Sequence, residues 1–303
     1  MALSMGSGVS IAGDEASSRS LAAKLLRARD AECLAAWLRA WQRSVPVKRN
    51  MGRTVIVGDV HGCADELDAL LDRVAFASTD RLVLAGDLVA RGPDSSRVCE
   101  IARRCTAVVV RGNHEEKLVV WRARMHANMK GLGKRPEPLG RVHERVASSL
   151  RAADWALLAG APVSWDLPEH GLRVVHAGVV PGIPFDAQDR ETLLRIRTVG
   201  GPGFEGNGLR GKKGEERLWG ELYEGAPHVV FGHNARRDPQ LHPWATGLDT
   251  ACVYGGRLTA LVLRSGERMP RGLAARALLV SVVARRVYVG ESRRADERER
   301  RVA

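Results

Sequence analysis

No apolar run in the 303 residues approaches the roughly 18 that a helix needs to cross a bilayer, so no membrane span is expected. The first twenty residues, MALSMGSGVSIAGDEASSRS, lack the basic start and continuous apolar stretch of a secretory signal. A cytoplasmic location is therefore the expectation. Cysteine is scarce and unpatterned. Cys33, Cys63, Cys99, Cys105 and Cys252 are odd in number and include no CxxC pair, which argues against a disulfide framework and against a zinc-thiolate site. No RNP, KH or zinc-finger pattern is found, and no segment repeats. What is present is ordinary for a globular chain: 45% hydrophobic and 27% charged residues, with seven Trp, four Phe and three Tyr. That is enough to fill the core of one large domain or two average ones.

The net charge of +12 is unevenly placed. Residues 1–50 carry 8 basic and 4 acidic side chains, and residues 264–303 carry 11 and 5. The span between them, with 28 and 26, is nearly neutral. A nucleic-acid partner thus enters only through the two ends, where a solvated helix face or a frayed tail is the preferred explanation of the charge, or as a capped RNA substrate.

Four segments follow from composition. Residues 1–17 are small, polar and Gly/Ser-rich, and are expected to be disordered. Residues 18–50 form an amphipathic helical extension and linker, in which Leu34, Trp37, Leu38 and Trp41 make one apolar stripe. Residues 51–290 form the main domain, and residues 291–303 a charged tail. Within the main domain TVIVGD, RLVLAGD, AVVVRGN, LRVVHAG, HVVFGH and LTALVL read as buried strands that stop at Gly or a polar residue, with ALLVSVVARRVYV as one more. Helices are expected over Asp65 to Val74, on the face carrying Leu67, Leu70, Leu71 and Val74, and over Asp94 to Arg104, opened by Pro93. Lys130 to Leu139 reads as a loop, as does Gly200 to Glu215 with seven glycines in sixteen positions. Strands alternating with helices predict an α+β fold, layered α/β/β/α, in which two sheets pack as a sandwich with helices on the outer faces.

The strand ends carry the chemistry. Asp59 and His61 close the first, Asp87 the second, Asn113, His114 and Glu115 the third, His176 a later one and His233 another. One Asp or His after a strand is commonly a turn or cap residue. Five strands ending this way, three with Gly beside the ligand for close backbone approach, form a polar floor along one sheet edge. Asp, Asn and His without Cys suit divalent Mn, Fe, Zn, Co or Ni, whereas Mg and Ca prefer all-oxygen shells. Two such ions bridged by one carboxylate activate a water or hydroxide for in-line attack on phosphorus. Arg91 and His114 are spaced to supply a phosphate-binding cation and a leaving-group proton. The expected partner is a small polyanionic phosphate substrate.

The set GDVHG, GDLVARGP, GNHE, VVHAG and FGHN, together with GLDTACVYGGRLTAL, resembles the calcineurin-like metallophosphoesterase superfamily. Within its phosphoprotein-phosphatase-type branch the chain looks most similar to the ApaH-like group of diadenosine tetraphosphatases, decapping pyrophosphatases and endopolyphosphatases. The resemblance implies a pair of sheets with helices outside. It makes Asp59, His61 and Asp87 ligands of one metal, Asp87 bridging, and Asn113, His176 and His233 ligands of the other, with manganese the foremost candidate. It makes His114 the general acid, Arg91 a phosphate clamp and Arg197 a second clamp, with Arg195 its fallback. The other histidines, His126, His143, His170, His228 and His242, follow no motif and read as surface or core residues. Asp249 and Tyr254 read as shaping the loop behind His233.

One departure is informative. The Ser/Thr phosphatases of this superfamily carry an aspartate in GDxVDRG that pairs with the histidine of GNHE, and here that position is Ala90. Without the carboxylate, His114 holds its proton less tightly. A serine alkoxide needs that proton to leave, whereas a nucleoside diphosphate or a polyphosphate departs as a stable anion. The reading is hydrolysis of dinucleoside polyphosphates, inorganic polyphosphate or both. A Ser/Thr protein phosphatase is the alternative enzyme, and a catalytically inert RNA-binding scaffold the alternative of another class. The segment Gly200 to Gly214 is expected to be a mobile lid that brings Arg210, Lys212 and Lys213 to distal phosphates, or else a solvated surface loop.

Overall fold

In β1 (Thr54–Val57) alternate residues face opposite ways, and all four are buried. Val55 and Val57 join a cluster with helix residues such as Leu67 and Leu70, while Ile56 joins one shared with Leu172, Val174 and Val230 of a second sheet. A strand buried on both faces must read as continuous apolar sequence, which is why TVIV was legible. The computed structural model describes residues 52–200 and 216–289. The expectations for residues 1–17, 18–50 and 291–303, and the lid with Arg210, Lys212 and Lys213, lie outside the described residues. These fall into two compact units, one of them residues 123–136 and the other the remainder.

The first sheet has the order β12-β11-β1-β2-β3, where β2 is Arg81–Leu84, β3 Val108–Val109, β11 Arg257–Leu263 and β12 Leu279–Val283. β1, β2 and β3 are parallel, in the registers Thr54 with Arg81 and Val83 with Val108. α1 (Ala64–Arg73) and α2 (Ser95–Arg104) supply the crossovers that parallel neighbours require. α2 begins one residue later than expected. Asp94, not Pro93, sets its start, its side chain accepting the Arg97 amide. α3 (Asn113–Met129) follows β3 directly. Its last residues, 123 to 129, lie in the smaller unit, where the Asn128 side chain donates to the Gly133 carbonyl in the loop that follows.

After α4 (Arg141–Ser149) and α5 (Ala152–Gly160) comes the second sheet. Its order is β4-β5-β8-β10-β9, with β4 Ser164–Leu167, β5 Leu172–Val175, β8 His228–Phe231, β9 Gln240–Leu241 and β10 Ala245–Gly247. Between β5 and β8 run α6 (Arg190–Arg195), the short strands β6 (Thr198–Val199) and β7 (Arg217–Leu218), and the single turn α7 (Trp219–Leu222). Val175, Val229 and Phe231 turn outward onto Trp219, Leu193 and Ile196. The layers are thus helix, sheet, sheet, helix. β12 is shorter than the apolar run predicts, because Ala277 and Leu278 belong to a 3₁₀ turn and, past Val283, the Arg285 amide turns to Glu66. No helix among the described residues is long and apolar enough to cross a membrane.

Both sheets contain a run of three parallel strands, β1-β2-β3 at one side of the first and β5-β8-β10 at the centre of the second. Parallel neighbours release their following loops at one edge, where open α/β sheets bind ligands.

Candidate metal centre

Each predicted ligand stands one to four residues beyond a strand. Asp87 Oδ2 lies 3.7 Å from His61 Nε2, 3.4 Å from His176 Nε2 and 3.9 Å from His114 Nε2. Asp59 Oδ2 is 3.7 Å from His61 Nε2, and Asn113 Oδ1 is 3.1 Å from His176 Nε2. Two groups share Asp87: His61, Asp87 and His114 in one, Asp87, His176 and His233 in the other, each with ligand atoms within 4.8 Å of one another. Asp59 belongs to neither triplet, but its Oδ1 accepts the His233 amide at 2.9 Å. Donors around one divalent ion, each about 2.1 Å from it, stand roughly 3 to 3.5 Å apart; most of the separations here are somewhat wider, so each of the two groups could hold a divalent ion once its side chains draw inward.

Hydrogen bonds behind the rings fix which nitrogen faces inward. The Val89 carbonyl meets His61 Nδ1 at 3.3 Å and the Ala85 carbonyl meets His176 Nδ1 at 3.0 Å, leaving both Nε2 atoms toward Asp87. His233 is reversed: its Nε2 meets the Arg195 carbonyl at 3.1 Å, so Nδ1 is the nitrogen left for a ligand. His61, Asp87, Arg91 and His233 all adopt left-handed backbone, with φ of 48°, 50°, 69° and 65°. That conformation costs of order 1 to 3 kcal/mol per non-glycine residue, and it is concentrated where side chains converge. Glycine is required beside them: a Cβ on Gly112 would collide with the Asp87 amide and one on Gly232 with the Asp59 carboxylate.

The electrostatics fit cations. Burial raises the Asp59 carboxyl well above its ordinary range, helped by the charge of Asp249. Burial also drives His61 down to about 4 and His233 to about 3. Asp87 and His176 behave as an ion pair. Burial disfavours both charges, but Asp87 lifts His176 to about 10, and His176 with His114 holds Asp87 well below the carboxylate range. His176 Nε2, Asp87 Oδ2 and Asn113 Oδ1 are three electron-pair donors that converge, and a charged His176 places its Nε2 proton among them. A divalent ion must displace it. Metal binding near neutral pH is therefore expected to release at least one proton per chain, with affinity rising as pH rises. Titration calorimetry in buffers of different ionisation enthalpy checks this. Identical heats across buffers would contradict it.

The remaining predicted residues line the same site. Arg91 donates to the Tyr254 hydroxyl, and its guanidinium lies 5.5 Å over that ring. Tyr254 therefore supports Arg91 instead of the loop behind His233; that loop is held by Asp249, whose carbonyl accepts the Arg236 amide. The Arg195 guanidinium is taken by Glu191 at 2.6 Å, whereas exposed Arg197 lies near enough to His233 to depress its pKa. Arg197 is the better placed of the two.

Two residues were not anticipated. His143, expected as a surface or core residue, presents its Nε2 3.0 Å from His114 Nδ1, the two buried rings stacked at 11°. Glu115 Oε2 accepts the Asp87 and Gly112 amides at 2.8 and 2.9 Å, and its Oε1 accepts the Val89 amide at 3.1 Å. It ties together the loops that carry Asp87 and Asn113, and burial, with Asp87 nearby, pushes it up to about 7. His170 and His228 are structural as expected, meeting Thr54 Oγ1 and Thr246 Oγ1, each at 2.9 Å.

Residues 52–256 match the model of the calcineurin-like phosphoesterase family. The chain belongs to that family. As a calcineurin-like phosphoesterase it is a hydrolase of a family that uses divalent metals. It is 32% identical over 222 residues to the asymmetrical bis(5'-nucleosyl)-tetraphosphatase PrpE of Halalkalibacterium halodurans, across 68% of this chain and 88% of that one. It is 28% identical to the symmetrical bis(5'-nucleosyl)-tetraphosphatase of Coxiella burnetii, across 71% and 90%. A crystal structure of a protein provisionally named a diadenosine tetraphosphatase superposes with a TM-score of 0.61 and 32% identity, covering 78% of this chain and 96% of that one.

Proposed function

We propose that this phosphoesterase hydrolyses phosphoanhydride bonds, with dinucleoside polyphosphates such as diadenosine tetraphosphate as its substrates and inorganic polyphosphate as a second substrate. The observation that carries the reading is what stands behind His114: a second imidazole, with Ala90 fully buried where a phosphoprotein phosphatase of this superfamily has its carboxylate. Burial drives His114 down to about 3, against the pull of Asp87. A histidine of that kind suits a leaving group that departs as a stable anion. The names of the relatives support the same substrate class.

Asp59, His61, Asp87, Asn113, His176 and His233 would hold two divalent transition ions, manganese first among Mn, Fe, Zn, Co and Ni. Such ions supply Lewis acidity to a water and to the phosphoryl oxygens. Arg91 and Arg197 then bind non-bridging oxygens, and His114 Nε2 faces the leaving oxygen. A substrate panel with the metal varied tests the reading: diadenosine tetraphosphate, long-chain polyphosphate, a capped RNA and a phosphopeptide, compared by kcat/KM. The tetraphosphate is expected to rank first, and its products, two ADP or ATP with AMP, distinguish symmetrical from asymmetrical cleavage. A phosphopeptide favoured by about tenfold, some 1.4 kcal/mol of transition-state binding, would establish the protein-phosphatase alternative instead.

A further inference from the structure

We infer that His143 is the positioning residue that keeps His114 in its proton-donating form. The inference rests on the reading of His114 as the group that protonates the leaving oxygen. His114 Nε2 faces Asp87, and Nδ1 faces His143 Nε2 at 3.0 Å. A neutral imidazole has one donor and one acceptor nitrogen. For Nε2 to carry the proton, Nδ1 must accept, and the group opposite must donate. A carboxylate cannot donate. It imposes Nδ1–H, so Nε2 carries a proton only when the ring is charged. His143 Nε2–H can, and a bond donated from it to His114 Nδ1 leaves the His114 Nε2–H for the leaving oxygen.

The step balances without leaving charge on either ring. The His114 Nε2–H bond breaks as the leaving oxygen's O–H bond forms. The His143 Nε2 proton passes to His114 Nδ1, and His143 takes up on Nδ1, by way of solvent, the proton that the attacking water gives up, so no hydroxide is left over. Both rings end in the opposite tautomer, and the return transfer resets them. The geometry supports a fixed partner: the rings are stacked at 11° with centroids 5.0 Å apart, and both residues are buried. α4 delivers His143, and its sequence offers little else for burial, only His143 and Val146.

The test is a leaving-group series of aryl phosphates, from dinitrophenyl, which departs unprotonated, to phenyl, which needs the proton, on the metal-loaded full chain. A general acid contributes about 10² to 10⁴-fold. His143→Leu is expected to lower kcat on phenyl phosphate at least tenfold, to leave kcat on the dinitrophenyl ester within about twofold, and to leave KM unchanged on both. His143→Gln, whose amide N–H replaces the lost donor, is expected to recover most of the loss. His143→Leu is expected to add nothing in a His114→Asn background. Activity on the dinitrophenyl ester reports folding and metal loading in the same samples. Equal losses on both esters, no loss on either, or failure of glutamine to rescue would overturn the inference. A His114→Asn protein with no leaving-group dependence would overturn the reading of His114 beneath it, and the inference with it. Neither outcome depends on whether the tetraphosphate ranks first in the substrate panel.

Discussion

Asp87→Asn is expected to reduce kcat by about 10³-fold or more, the equivalent of some 4 kcal/mol of transition-state stabilisation. The reason lies in the two oxygens. Oδ1 accepts the His114 amide at 3.0 Å, and Oδ2 is the atom shared between the His61 and His176 sides of the pocket. Asparagine has one oxygen. Turned toward His114, it points an NH2 at two would-be cations; turned the other way, it sets NH2 against the His114 amide. Either orientation removes the only carboxylate common to both ligand groups, so metal content should fall together with activity. Elemental analysis per chain, circular dichroism and a thermal melt separate loss of metal from loss of fold. Near-normal turnover in a folded Asp87→Asn protein would rule out the two-metal arrangement.

The ligand set was legible because of how strands are buried. Each ligand follows an apolar run that ends at a sheet edge, so the change from TVIV to GDVHG, or from LRVV to HAG, marks both the strand and its chemistry in a few residues. The layered fold was legible for the same reason: β1, β2, β5 and β8 each hold three apolar residues of four. β4, β9 and β10 were not. SWDL, QL and ATG contain no apolar run, and they are strands because β5 offers β4, β8 offers β10 and β10 in turn offers β9 a hydrogen-bonding edge, which is tertiary information. His143 lies 29 residues from His114, on a short helix with few apolar residues. Neither periodicity nor spacing links the two. The sequence did register the missing carboxylate at Ala90, but a vacancy does not name its replacement. Glu115 stood inside a quoted motif and received no role, because its partners are backbone amides, which no side-chain pattern records.

Glu115 leads to the largest expected effect on stability. Its two oxygens receive the Asp87, Val89 and Gly112 amides, all in buried residues. Glu115→Ala leaves those three amides without this acceptor and opens a void beside them. At about 1 to 3 kcal/mol per orphaned buried group, the loss over three amides comes to roughly 3 to 9 kcal/mol, a large part of the roughly 5 to 15 kcal/mol that holds a domain folded. With about 2 to 4 °C of Tm per kcal/mol for a chain of this size, the melt should drop by about 6 °C at the least. Glu115→Gln separates shape from acceptance. The glutamine fills the same space and keeps one accepting oxygen, but its NH2 must face an amide donor, so the melt should fall between those of the wild type and the alanine variant. Activity should follow the same order more steeply, because the loops that loosen carry Asp87 and Asn113. Added divalent metal should recover part of the loss in the glutamine variant by pinning those loops from the other side. An alanine variant that melts within about 1 kcal/mol of the wild type would mean that the three amides find other acceptors, and that the loops are held by the backbone contacts between Asp87 and His61 instead.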